Sequence, residues 1–209
     1  MPPEAINRET VARRRDRLLA EYDDVTVREY TDELPNEAFA GFREHCRDGY
    51  TGGAYAWVVR EPEQAAALTE SMPEDVETGE RALMVLNRAD RRWGLAGGGR
   101  EAEETFEDAA VREVREETGI ECRIEDCFLV RDVVVTSSAH DDRVHVLQVF
   151  FDAAYDGGHI EVQPGELNGA AWFAHPPDPD RLQPANVYRA AEFWDEFEAD
   201  GDPLETVFA

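Results

Sequence analysis

Two hydrophobic periods alternate along this chain, and each change of period marks an element. In residues 8–22, RETVARRRDRLLAEY, the apolar positions Val11, Leu18 and Leu19 recur at helical spacing, which predicts an amphipathic helix. DVTVREY (24–30) alternates with period two and predicts a short strand. PNEAFAGFREHC (35–46) predicts a second helix, with Pro35 near its first turn. AYAWVV (54–59) and ALMVLN (82–87) are apolar runs of strand length, and the polar stretch 61–81 between them predicts a loop or a short helical insertion. RADRRWGLAGGG (88–99) reads as a turn and an approach loop into a helix that stops at Gly119. Strand signals follow at 121–136, 143–152, 159–163 and 170–174. PPDPD (176–180) is a connector, and VYRAAEFWDEFEA (187–199) predicts a last helix. Strands on both sides of one central helix, with another helix at the end, predict an α/β architecture: a mixed β-sheet sandwiched between helices. Residues 1–50 form a helix–strand–helix extension to a main domain at 51–209, and no internal repeat is present.

Composition narrows what such a domain does. The chain has 209 residues and a net charge of -26, which argues against general nucleic-acid binding, because phosphate recognition needs basic patches. All 21 basic residues are Arg, against 47 acidic ones, a balance similar to that of proteins from salt-loving organisms, where salt screens the self-repulsion. Arg13, Arg14 and Arg15 are consecutive, and in so acidic a chain they read as a solvated helix face rather than an anion site. Cys46, Cys122 and Cys127 are odd in number and hold no C-x-x-C pair, which predicts reduced, buried thiols in a cytoplasm. The first residues lack the apolar core of a signal peptide, and no run is long enough to span a membrane.

The chemistry concentrates on the central helix. Thr105 fits its N-cap with Asp108 in capping-box position, and Gly119 fits its left-handed stop. Phe106, Ala110 and Val114 line one stripe, the buried one. Glu113, Glu116 and Glu117 share another face at i, i+3 and i+4, where three carboxylates repel unless a cation bridges them. Hard divalent ions take oxygen ligands of this kind. Arg112 can pair with Glu116 one turn on, or back toward Glu104. The glycines at 97–99 allow a close backbone approach to a metal or phosphate.

At fixed offsets the chain carries Gly98, Glu104, Arg112, Glu113, Val114, Glu116, Glu117, Gly119 and Ile120. This matches, without a mismatch, the signature G-x5-E-x7-R-E-U-x-E-E-x-G-U (U a bulky aliphatic), and so resembles the Nudix hydrolases. WGLAGG (93–98) is similar to that family's W-x-x-P-G-G entry, with Ala96 where Pro is common. GELNGAAWFA (165–174) resembles a later family segment. The resemblance extends over roughly 54–199, and residues 1 to about 50 find no counterpart.

The resemblance implies a Nudix fold and metal-dependent hydrolysis of a nucleoside diphosphate linked to another group, X. It implies Mg²⁺ or Mn²⁺ held by Glu113, Glu116 and Glu117 with the Gly97 carbonyl, and a further acidic ligand from a later loop. Glu161 and Glu166 are the candidates for that ligand, with Glu166 preferred. Glu116 or Glu113 would act on the attacking water, Arg112 and Glu104 would orient the cluster, and Gly98 and Gly99 would approach the substrate. The partner is a small nucleotide, and family habit suggests a homodimer.

What selects X is less legible. The proline that often follows the box in ADP-ribose-cleaving relatives is missing from VVVTSSAHDD, and Tyr155 lies too far on for the tyrosine of diadenosine polyphosphate hydrolases. The extra motifs of the coenzyme A and NADH subclasses are also absent. QPAN (183–186) resembles a segment through which triphosphate-cleaning relatives recognise a purine; Asn186 either reads a base edge or, by its ordinary preference, caps the last helix. His140 and His145 read as solvated or structural, and Trp93 and Trp172 as packing residues. Two other functions compete: a Nudix-fold prenyl diphosphate isomerase, which relies on a reactive cysteine, and a non-catalytic nucleotide sensor.

Overall fold

The computed structural model describes residues 3–64 and 79–198. Most of the stretch expected as a loop or insertion (61–81), and the end of the expected last helix, therefore lie outside the described residues. The described chain divides into two compact units. One holds the residues up to Tyr55 with Gly97–Ala110 and Ile124–Asp152; the other holds Ala56–Ala96, Val111–Arg123 and the described residues from Ala153 onward.

In the first unit the N-terminal extension is built into the sheet. Strand β1 (Ala5–Ile6), helix α1 (Arg8–Glu21), strand β2 (Thr26–Glu33) and helix α2 (Asn36–Arg47) come first, followed by β3 (Gly52–Arg60). Later come β6 (Ala96–Gly99), helix α3 (Phe106–Thr118), β7 (Ile120–Ser137) and β8 (His140–Gly158). β2 pairs parallel with β7 from Thr26↔Leu129 to Glu33↔Thr136. β1 pairs parallel with β8 through Ala5↔Arg143 and Ile6↔Val144. β2, β7, β8 and β3 follow one another across the sheet. The period-two pattern puts Val133 and Val135 of β7 and Val144 and Val146 of β8 on one face, where Ile6 and the α2 residues Phe39 and Cys46 close over them. Burying each such apolar side chain contributes about 1.5–3 kcal/mol. Asn7 precedes α1 with φ 65° and makes no side-chain cap. Its amide instead donates to the Cys46 and Tyr50 carbonyls at 3.1 and 2.7 Å, satisfying the end of α2.

In the second unit β4 (Arg81–Asn87) is central, with β5 (Trp93–Gly94) and β9 (Leu167–Phe173) beside it, and helix α4 (Val187–Phe193) follows. β4 pairs antiparallel with β3 through Val59↔Ala82, with β5 through Val85↔Gly94, and with β9 from Ala82↔Phe173 to Asn87↔Leu167. Its run Ala82–Val85 is buried without alternation, as a strand covered on both faces requires. Trp57 meets Phe193 and Trp194 edge-on at ring separations of 5.4 and 5.3 Å.

The architecture is the expected α/β one, a mixed sheet with helices, and three local expectations need correction. The approach loop 88–99 contains two strands, β5 and β6. Glycine is poor in strands unless two backbones approach closely. Here a Cβ on Gly97 would sit 2.3 Å from the Ala54 carbonyl oxygen, and one on Gly53 2.7 Å from that of Gly98. Residues 159–163 form no strand, because their amides are spent elsewhere: Glu161 N–H donates to the Thr118 carbonyl at 2.7 Å and Gln163 N–H to that of Glu117 at 3.2 Å. This strap caps the end of α3. The last helix stops at Phe193; Trp194 turns extended, and its buried indole donates to the Ala174 carbonyl at 3.1 Å. Among the described residues no helix is long and apolar enough to cross a membrane.

Candidate active site

The start of α3 forms as its sequence requires. Thr105 Oγ1 accepts from Asp108 N–H at 3.0 Å, and Asp108 Oδ2 accepts from Thr105 N–H at 3.2 Å, a complete capping box. The loop before it is held by a residue to which sequence reasoning gave no role. Arg100 is 4 % exposed. Its Nε donates to Thr51 Oγ1 at 3.1 Å and its Nη2 to the Gly49 carbonyl at 3.2 Å. Its Nη1 faces the carbonyls of Glu101, Ala102 and Glu104. Burial lowers its pKa, against the charges of Glu103 and Glu104. The only sequence signal was a lone Arg inside GREAEE. Glu104 itself accepts the Glu101 N–H at 3.0 Å, closing the turn, and Gly97, Gly98 and Gly99 lie in β6 of this same unit.

The second half of α3 belongs to the other unit, and there the structure brings Arg112, Glu113 and Glu116 together. Arg112 Nη1 donates to Glu113 Oε1 at 2.9 Å and to Glu116 Oε2 at 3.1 Å. Glu113 is half-buried and Glu116 exposed. Burial pushes the Glu113 carboxyl up; the Arg112 hydrogen bond and charge pull it down, and the charges of Glu116 and Glu166 push it up again. Glu166 is therefore within electrostatic reach of Glu113. Glu161 instead packs its Cβ against Gly119, 3.1 Å from where a Cβ there would lie. Gly119 has φ 74°, the left-handed stop its position called for, and the strap that carries both acids hangs from the carbonyls of Glu117 and Thr118.

Could these residues hold a divalent metal? The donor set is carboxylate oxygen, which Mg²⁺ and Mn²⁺ prefer. One half-buried carboxyl with two like charges in range fits such an ion. Among the described residues no three acidic, His or Cys side chains converge as a metal cluster; the Arg112 guanidinium lies between Glu113 and Glu116 instead.

Asn186 belongs to the same unit. It stands at the start of α4 without a side-chain cap, so the capping role its type favoured is not the one it plays. It is 2 % exposed and its Nδ2 has no hydrogen-bond partner. Trp93 packs edge-on against Phe173 and Trp172 against Tyr155, with the Arg60 guanidinium 5.1 Å above the Trp172 ring. His140 stacks on Phe39, and His145 is half-buried, with its pKa lowered mainly by desolvation.

A family model described as the NUDIX domain matches residues 74–190, more than half of the chain. Among curated proteins the chain is similar to the NAD-capped RNA hydrolase NudC of Pseudomonas putida, 38% identical over 82 residues, which are 39% of this chain and 27% of that protein. It is also similar to the NAD-capped RNA hydrolase NudC of Pectobacterium carotovorum, 30% identical over 116 residues, 54% of this chain and 42% of that protein. The chain thus spans less than half the length of these relatives. A solved structure, the MutT NUDIX hydrolase from Burkholderia pseudomallei, is 25% identical, with a TM-score of 0.40 and coverage of 62% of this chain and 88% of that one. With the family model spanning more than half of its length and every defined position of the box in place, the chain belongs to the Nudix hydrolase family.

Proposed function

We propose that the protein is a divalent-metal-dependent pyrophosphohydrolase that cleaves a nucleoside diphosphate derivative into a nucleoside monophosphate and a phosphorylated second product. The observation that supports this is the unbroken box, in which the Arg112 guanidinium holds Glu113 at 2.9 Å and Glu116 at 3.1 Å. A chain of net charge -26 repels a pyrophosphate, so cations at the site are what make it attractive. Glu113, Glu116, Glu117 and Glu166 would hold Mg²⁺ or Mn²⁺, which supplies positive charge against the negative charge that builds on the phosphoryl oxygens.

In this reading a water oxygen attacks one phosphorus, the bond from that phosphorus to the bridging oxygen breaks, and the water's proton passes to a carboxylate. Glu113 is the candidate for that last role, because burial and like charge raise its carboxyl against the pull of Arg112. Arg112 holds both carboxylates in place. The names of the curated relatives favour a dinucleotide pyrophosphate, in which X carries a second nucleoside, as the first substrate to test. The isomerase alternative is disfavoured by the thiols: Cys46, Cys122 and Cys127 are all buried, and burial pushes each up to about 12, far from a reactive thiolate.

The test is a panel of NAD, ADP-ribose, nucleoside triphosphates and diadenosine polyphosphates with Mg²⁺ or Mn²⁺, at low and molar salt. Glu113→Gln should lower kcat by about 10²–10⁴ on whichever substrate turns over. No turnover of any member, or parental rates in both Glu113→Gln and Glu116→Gln, would overturn the reading.

A further inference from the structure

Strand β2, TVREYTDE, ends the sheet path: β7 lies on one side of it and, among the described residues, no strand lies on the other. Leu34 N–H donates to the Thr136 carbonyl at 2.9 Å, so the backbone groups of the even-numbered residues of β2 face β7. Those of Val27, Glu29, Thr31 and Glu33 therefore face outward. Arg28 Nη1 reaches the Val27 carbonyl at 3.0 Å on that open side. The outward groups of Glu29, Thr31 and Glu33 meet no partner among the described residues, and these three residues and Arg28 are exposed.

An open edge of this kind is a template for pairing with another chain, and proteins commonly blunt it with a bulge, a proline, a lysine or a very short strand. β2 has 8 residues, keeps a continuous register with β7, and contains no Pro, Gly or Lys. What remains is charge, and the order of its charges is complementary to itself. We propose that β2 is the docking edge for a second copy of this chain, joined as an antiparallel pair whose two-fold axis falls on Tyr30.

In such a pair outward residues stand opposite outward residues, so the axis must fall on a residue of the strand. Centred on Tyr30, Arg28 stands opposite the partner's Asp32, and Asp32 opposite the partner's Arg28. Glu29 then faces the partner's Thr31, Val27 faces the partner's Glu33, and every outward residue of β2 finds its mate within the strand. Moving the axis one residue back sets Glu29 against the partner's Glu29; moving it one forward sets Glu29 against the partner's Glu33 at both ends. Opposite charges directly across a pair support it and like charges destabilise it, so one register is favoured and its neighbours are penalised. A strand-to-strand contact alone buries less than the about 1,200–2,000 Å² of a stable interface, and each copy carries a net charge of -26, so association at micromolar concentration is expected. This edge goes beyond the proposed activity and does not rest on it.

Sedimentation equilibrium of the full chain reads the association, at about 0.15 M salt and at about 1 M, where the long-range repulsion is screened. The parent should form dimers in at least one of the two, and the variants are compared there. Arg28→Asp and Asp32→Arg should each weaken dimerisation at least about tenfold; an equimolar mixture of the two should associate as the parent does, because each mixed pair again sets Arg against Asp. Arg181→Asp, the same charge change at an exposed position elsewhere, should shift the constant less than about twofold. Thr31→Pro removes an outward N–H and leaves the β7 ladder intact, so it should also weaken pairing with the far-UV spectrum unchanged, and it decides the matter if Asp32→Arg does not fold. The register is read by mixing Glu29→Cys with Thr31→Cys in oxidised glutathione, since opposite residues of a hydrogen-bonded pair lie about 5.5 Å apart, within disulfide reach. A disulfide between the two variants is the expected product; disulfides formed only within one variant would place the axis on another residue and overturn the register. A parent that is monomeric at about 100 µM in both salts, or dimers that Arg28→Asp and Thr31→Pro leave unchanged, overturn the proposal.

Discussion

Replacing Arg100 by Met keeps the stem's volume and removes the guanidinium that braces the loop into α3. The cost follows from where each acceptor lies. Thr51 is 2 % exposed, so its Oγ1 loses a donor that water does not replace, at about 1–3 kcal/mol. The carbonyls of Gly49, Glu101 and Ala102 belong to exposed residues and turn to solvent at little cost. The Glu104 carbonyl is only partly exposed and loses a charge-assisted bond, about another 1–2 kcal/mol. Against this, the variant is spared the desolvation that depresses the Arg100 pKa. The net is a destabilisation of about 3 kcal/mol. With a urea slope of about 3 kcal/mol per M, the midpoint falls by about 1 M with the slope unchanged. Arg100→Lys has three donors for these acceptors and should recover roughly half of the shift. Far-UV circular dichroism is the appropriate probe, because all four tryptophans (57, 93, 172 and 194) lie in the other unit. A midpoint within about 0.3 M of the parent for Arg100→Met would refute the account of this residue as the brace of the loop.

Three further outcomes follow from the same contacts. Gly119→Ala forces a Cβ onto φ 74°, 2.7 Å from the His159 carbonyl oxygen; it should cost about 2–3 kcal/mol and lower Tm by about 5–10 °C, and a Tm within 2 °C of the parent would count against the strap. The Asp142 carboxyl is held below its ordinary range by the Glu4 N–H it accepts and by Arg43 and Arg47, against an opposing desolvation. Its stabilisation is therefore full above the unfolded value of about 3.9 and is lost as pH falls through the folded one, so the urea-midpoint gap between the parent and Asp142→Asn should be full at pH 7 and shrink below about pH 4; a gap that persists unchanged to pH 2 would refute this. Asn186→Ala removes a buried donor without a partner and should change stability by less than about 1 kcal/mol, while raising KM for nucleotide substrates if the amide reads a base; an unchanged KM would leave the residue without a role in recognition.

Legibility in the sequence followed the range of the interaction. The capping box at Thr105 and Asp108, the stop at Gly119 and the shared face of Glu113 and Glu116 are all settled within one or two turns of helix, and residue type and spacing alone are enough to read each of them. What escaped depended on partners far along the chain. Nothing local says that Gly53 and Gly98 face each other, so a glycine-rich strand read as a loop. Nothing local says that the amides of Glu161 and Gln163 are taken by the end of α3, so a strap read as a strand. The preference of Asn for helix caps was outvoted at both places where it applied. Asn7 spends its amide on the end of α2, and Asn186 is buried without capping α4.

The absence of lysine acquires a structural reading from these contacts. Arg17 grips both oxygens of Glu107, Arg47 bridges Glu44 and Glu4 with separate nitrogens, Arg100 reaches five acceptors, and Arg112 spans Glu113 and Glu116. Arg47 and Arg100 use separate nitrogens of the planar fork, whose directions are fixed, where an ammonium offers one point charge and three rotating donors; Arg17 and Arg112 each bridge two oxygens from one nitrogen. Arg47 ties α2 to the residue before β1, and Arg17 ties α1 to α3, so these cations brace the extension to the sheet and the box helix at sites where acidic chains converge. Such bracing accounts for arginine at these positions without appeal to the salt of the source.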